Sequence, residues 1–98
     1  MNLPLVFHPA VQGEVDEAFR WYEQQRPGLG DDFLTALDEV FNRLSGSPEI
    51  HPVIYRDIRR ALPRRFPYGV YYRVHPDRVE VIAAQHSQRD PRGWQARA

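Results

Sequence analysis

The 98-residue chain contains no cysteine and no lysine. Without cysteine there is no disulfide framework, no thiolate metal site and no thiol nucleophile. Without lysine, all thirteen basic residues are arginine. The planar guanidinium suits phosphate and carboxylate recognition, although a codon bias across a genome would give the same composition. Long apolar runs are missing as well. None approaches the ~20 residues that cross a bilayer, and the first residues lack the basic-then-apolar layout of a signal segment. No glycine-rich phosphate loop, GxSxG elbow or HxxxH pair occurs. The expectation is a single domain over residues 1–98, cytoplasmic, with no metal and no cofactor. Such a length buries roughly 60–65% of the unfolded surface, enough for one core.

What is present is divided by charge. Residues 1–50 hold Arg20, Arg26 and Arg43 against nine acids, while residues 51–98 hold ten arginines against four acids. The formal net charge of zero conceals this split, which suggests that one side of the molecule meets an anionic partner.

The stretch from Arg59 to Asp90 predicts three successive strands. Tyr68, Val70, Tyr72 and Val74 alternate with Gly69, Tyr71 and Arg73, so the two sets face opposite ways. A connection from His75 to Arg78 returns the chain into a run rich in valine and isoleucine that ends at His86, an antiparallel hairpin. Upstream, Leu3 to Phe7 is a short edge strand. His8-Pro9 opens a helix with the stripe Val11, Val15, Ala18, Phe19 and Tyr22. Pro27-Gly28 stops it. A second helix starts near Gly30-Asp31-Asp32, carries the stripe Phe33, Leu37, Val40, Phe41 and Leu44, and stops at Gly46. Glu14, Asp16, Glu17 and Glu23 are expected on a solvated face, with Asp16 meeting Arg20. His51 is expected as a solvated loop residue. Val53 to Leu62 is expected as one strand, and Ser87 to Ala98 as a short helix or ordered arm. The fold class is therefore α+β: an αα-hairpin on one face of a small, mostly antiparallel sheet in the order β-α-α-β-β-β.

Helices on one face leave the other face open, with Tyr71 and Arg73 on it beside one of the adjacent Arg59 and Arg60. Arginines interleaved with tyrosines suit RNA, through phosphate contacts and base stacking, and suit an acidic protein segment equally. His86 is the best single candidate for chemistry, because its ring titrates near neutrality at the end of an apolar strand.

The element order, the segments RRALPRRFPYGVYYRV and QHSQRDPRGW, and the interhelical junction YEQQRPGLGDDFL resemble the RelE/ParE superfamily of toxins from type II toxin–antitoxin (plasmid-stabilisation) systems. The likeness spans nearly the whole chain. It implies a small toxin neutralised by a co-encoded antitoxin protein, with the helices and the basic sheet face as contact surfaces. ParE-like members are associated with inhibition of DNA gyrase. In that case Arg89, Arg92 and Trp94 of the C-terminal arm would contribute to target binding, along with Arg59, Arg64, Arg65 and Tyr71. RelE-like members cleave mRNA on the ribosome. In that case Arg60, Arg64 and Arg73 would hold the phosphate and His86 would be base or acid. Gly69 stands where RelE-like nucleases tend to carry an arginine, and the HSQRDP ending resembles ParE-like tails. A family member that only binds its antitoxin is the third possibility.

Overall fold

The computed structural model describes residues 2–98. Strand β1 (Leu5–Phe7) is followed by helices α1 (Ala10–Gln25) and α2 (Leu29–Gly46). Strands β2 (Val53–Tyr55), β3 (Ile58–Ala61), β4 (Tyr68–Val74) and β5 (Val79–His86) come next, and a short helix α3 (Arg92–Gln95) ends the chain. The five strands form one sheet in the order β1-β5-β4-β3-β2. β1 runs parallel to β5, and every other pairing is antiparallel.

Local chemistry fixes the helical hairpin. His8 Nδ1 accepts the Ala10 N–H at 3.0 Å, satisfying one of the donors that a helix start leaves open. α1 ends at Gln25, and Gly28, just before α2, adopts φ +89°, a left-handed conformation that a side chain would strain. Gly30 lies so close to α1 that a Cβ there would sit 2.7 Å from the Phe19 ring. Asp31 and Asp32 occupy the first turn of α2, where the helix dipole favours them.

Both helical stripes pack on one face of the sheet. Val11, Ala18 and Tyr22 of α1, with Phe33, Leu37, Val40 and Leu44 of α2, bury themselves against Val70, Tyr72, Val79, Val81 and Ala84. The alternation along β4 holds: Val70 and Tyr72 join this cluster, whereas Tyr71 joins a second one on the opposite face. A bulge at Tyr71/Tyr72 leaves Ile82 as the extra residue on β5, so Ile82 and Ala83 both face the second cluster.

Four expectations are corrected. The strand foreseen over Val53 to Leu62 is two strands, because Arg56 takes φ +52° and turns the chain at Arg56-Asp57. The acids of α1 are not uniformly solvated: the Glu14 side chain is only 11% exposed. Glu23 accepts the N–H groups of Gly28 and Gly30 at 3.0 Å each, closing the start of α2. Asp16 accepts from Gln12 Nε2 at 2.9 Å, and no ion pair joins it to Arg20 among the described residues. The second face of the sheet is not open, and its cover shapes the functional geography.

Candidate interaction surface

The C-terminal arm closes the second face. Trp94, 5% exposed, stacks on Tyr71 with ring centroids 4.4 Å apart and planes 18° from parallel. Tyr55 meets the same indole edge-on at 5.7 Å. The Tyr71 ring in turn lies over Gly69, where a Cβ would come within 2.8 Å of it. Tyr71 and Trp94, both expected on an exposed binding surface, are therefore used on each other. An aromatic side chain beside an apolar strand face gains more by burial than by waiting in water.

An ion pair latches this arm. β1 ends at Phe7, and beyond Val81 the outer edge of β5 has no strand beside it. Glu14 fills the gap. Its Oε1 accepts the Ala84 N–H at 3.1 Å, its Oε2 accepts Gln85 Nε2 at 2.6 Å, and Arg97 approaches both oxygens at 3.1 and 2.9 Å. Arg97 also donates to the Ile82 carbonyl at 2.9 Å. One carboxylate and one guanidinium thus do for this edge what backbone groups of a longer β1 would have done. Burial pushes the Glu14 carboxyl up, but the bonds from Arg97, Gln85 and the Ala84 amide outweigh it and hold the group below the usual glutamate value.

Of the foreseen phosphate-binding arginines, Arg60 and Arg73 share the second face of the sheet, while Arg64 lies at the bend after β3. Arg73 is clamped between two carboxylates, Asp57 at 2.7 Å and Glu80 at 3.3 Å. His75 Nε2 lies 2.9 Å from the same Glu80 oxygen. Those bonds keep Asp57 and Glu80 below their ordinary values and Arg73 above its own. The charge of Arg73 is thereby matched inside the fold. Arg59 donates to the carbonyls of Glu49 and His51 at 3.1 and 2.6 Å, pinning the loop before β2. In that loop the His51 ring is half-buried against Tyr72, not solvated as expected. Burial, with Arg43 and Arg59 nearby, lowers its pKa. Arg60 lies opposite Tyr71 in the ladder. Arg64 and Arg65 are exposed at the bend after β3, Arg65 at φ +72° and 3.7 Å from Asp32.

His86 does not meet Arg73. It pairs with Tyr68 at one end of the β4–β5 ladder, while Arg73 pairs with Glu80 toward the other. The two rungs are five positions apart along β4, about 17 Å. The two side chains also differ in side: Tyr68, beside His86, packs with the helical cluster, whereas Arg73 follows Tyr71 by two and shares its side.

What His86 does join is a cleft of about 430 Å³ between α1 and the end of the hairpin, lined by Glu17, Ala18, Trp21, Tyr22, Pro67, Tyr68, His86 and Arg89. Trp21 is 57% exposed, and its ring meets Tyr22 edge-on at 5.1 Å. Arg92 lies outside this cleft, exposed and paired with Asp90 at 2.6 Å. The sequence places Glu14 on a solvated face and assigns no role to Arg97 or Trp21. Glu14 follows Val11 by three and precedes Ala18 by four, so it lies on the apolar stripe, and an acid there signals a buried partner. Trp21 is a large aromatic on the polar side of its helix, itself a signal.

The family model for the ParE toxin of type II toxin–antitoxin system, parDE, matches residues 5–91. The chain belongs to this ParE toxin family. The match takes in all five strands and both long helices, and stops short of α3. Among curated relatives, Toxin ParE2 of Mycobacterium tuberculosis, in two strains, is 26% identical over 97 residues, covering 98% of this chain and 92% of the relative. A chain from the chromosomal ParDE TA system from P. aeruginosa has the same fold, with a TM-score of 0.75 at 14% identity, covering 86% of this chain and 95% of that one. This ParE-family protein is thus the toxin half of a toxin–antitoxin pair. Among the described residues no helix is long and apolar enough to cross a membrane.

Proposed function

We propose that this ParE-family toxin arrests growth by binding DNA gyrase, and that a co-encoded antitoxin neutralises it. The observation that carries the choice of binding over RNA cleavage is the closed second face. Trp94 covers Tyr71 and Tyr71 covers Gly69, while Arg73 on that side is neutralised by Asp57 and Glu80. Phosphoryl-transfer catalysis needs donors aimed at developing charge, with base and acid within hydrogen-bond reach of the reacting atoms. His86 and Arg73 stand about 17 Å apart along the ladder. A binding toxin needs no such convergence, only a surface, and the exposed residues Arg64 and Arg89 offer positive charge for one.

The test pairs a supercoiling assay on purified gyrase with mapping of new mRNA 5′ ends after brief induction. Inhibited supercoiling, DNA-damage signalling and no new ends are expected, and the His86→Ala variant should remain as toxic as the parent. New ends at codon positions within translated frames, lost in His86→Ala, would instead establish a ribosome-dependent nuclease. Healthy growth with good expression would leave a protein that only binds its antitoxin.

A further inference from the structure

We propose that the edge strand β2 is the seat of a second copy of this chain, the two β2 strands lying antiparallel about a two-fold axis. The inference depends on neither the target nor the antitoxin. Strand order puts β2 at the margin of the sheet, with β3 on one side and no strand on the other among the described residues. A sheet margin is ordinarily kept from pairing by charges on its outer strand, by proline or by a bulge. Here Pro52 precedes the strand and a bulge falls between Val53 and Tyr55, so the strand is short. It carries no charged residue, and Ile54, between the two paired residues, has no ladder partner of its own.

The second observation is the apolar surface on that margin. Ile50, Val53, Ile54 and Leu62 are between 40 and 58% exposed. Because β3 runs antiparallel to β2, Leu62, just past the end of β3, lies beyond the start of β2, where the loop carrying Ile50 enters. Four large aliphatic side chains thus gather along one rim. Single apolar residues scattered over a surface are ordinary, whereas a contiguous group marks a contact.

The third observation names the occupant. Glu49 stands at the entry to this segment and Arg56 at its exit, and both are exposed. Neither has an ion pair among the described residues, and the Arg56 guanidinium rests over the Tyr55 ring, 5.2 Å from its centroid. The charged neighbours are engaged elsewhere: Asp57 with Arg73 at 2.7 Å, and Arg59 with the carbonyls of Glu49 and His51. An acid at one end and a base at the other make the segment complementary to itself when turned end for end. In an antiparallel pair each Glu49 meets the Arg56 of the other copy, while a parallel pair would set like charges together. Such an isologous contact closes on two chains. Backbone bonds across it are few, because Pro52 has no N–H to give, and a contact this small associates weakly.

Sedimentation equilibrium of the purified chain tests this, from about 1 µM to about 1 mM. The average mass is expected to rise from one chain toward two over that span. Ile54→Lys puts a charge on the margin and should raise the dissociation constant about tenfold or more. Glu49→Arg or Arg56→Glu alone should weaken the dimer about tenfold, by setting like charges together at both ends. An equimolar mixture of those two variants should associate again, because each close pair in the mixed dimer is then one acid and one base. All three positions are exposed, so the fold is expected to stand, and circular dichroism checks this. A chain that stays monomeric throughout would overturn the inference. A dimer indifferent to Ile54→Lys and to both charge reversals would overturn it too, by placing the contact on another surface. So would a mixture that fails to associate while the parent dimerises. A monomeric chain whose antitoxin binding is lost in Ile54→Lys would give this margin to the antitoxin instead.

Discussion

The two faces of the sheet are covered by different means. On one side, two helices of 16 and 18 residues bring a dozen apolar side chains to β4 and β5. On the other, a four-residue helix delivers one tryptophan, and its arm is held by Arg97 on Glu14. The helical side is redundant, since many contacts share the load. The arm side is concentrated, and its closure depends on one stacked ring and one ion pair. Concentration of that kind makes a face easy to open with few changes.

The largest expected effect comes from the redundant side. Phe33→Ala removes a fully buried ring that touches Tyr22, Phe66 and Tyr68. It should cost about 3–5 kcal/mol, measured by urea unfolding, and much of a small domain's stability goes with it. Trp94→Ala should cost about 3 kcal/mol and act differently. Hydrogen exchange should quicken in residues 87–98 and over Tyr71 while the amides of α1 and α2 stay protected. Uniform loss of protection would show that the two faces fold as one unit.

Glu14→Gln keeps the shape but removes the charge facing Arg97, and should cost about 2 kcal/mol. A double-mutant cycle with Arg97→Ala measures the coupling, and additive losses would deny the latch. The same carboxyl sets a pH dependence. Because its folded pKa lies below the usual glutamate value, its stabilisation is complete above that value and is lost as pH falls through the folded pKa. Asp57 and Glu80, lowered by their bonds to Arg73 and to His75, act in the same direction. The parent's melting temperature should therefore fall on acidification below about pH 4, and the fall should be shallower in Glu14→Gln. The smallest effect is expected at Arg64→Glu: the side chain is exposed and has no ion pair among the described residues, and stability should change by less than about 0.5 kcal/mol.

The same contrast explains what was legible in the sequence. The helical stripes, the Pro27-Gly28 break and the β4 alternation state local periodicities, and each is present in the fold. The hairpin connection at His75 to Arg78 is also there, closed by the His75 N–H donating to the Arg78 carbonyl at 2.9 Å. The arm side was not legible, because its contacts join residues far apart in the chain. Glu14 meets Arg97 across 83 positions, and no local pattern carries such a pair. The break at Arg56 was hidden because a left-handed arginine gives no compositional sign. The candidate site divided in the same way. The candidate residues come from nearby segments, but strand alternation and ladder length separate His86 from Arg60 and Arg73; His86 and Arg89 reach one cleft, and Arg64 and Arg65 line another.

The Tyr71 ring over Gly69 also constrains how this chain can change over time. Even a methyl group at position 69 would lie 2.8 Å from that ring, so a longer side chain there has no room. The ring cannot step aside, because Trp94 lies stacked on it. Substitutions on this face are thus ordered: the tryptophan must loosen or the tyrosine must shrink before position 69 can accept a side chain. A lineage that takes these steps in the opposite order passes through an overpacked intermediate, which costs typically about 1–3 kcal/mol. The stacked pair acts as a ratchet, and glycine at 69 is held in place by its neighbours.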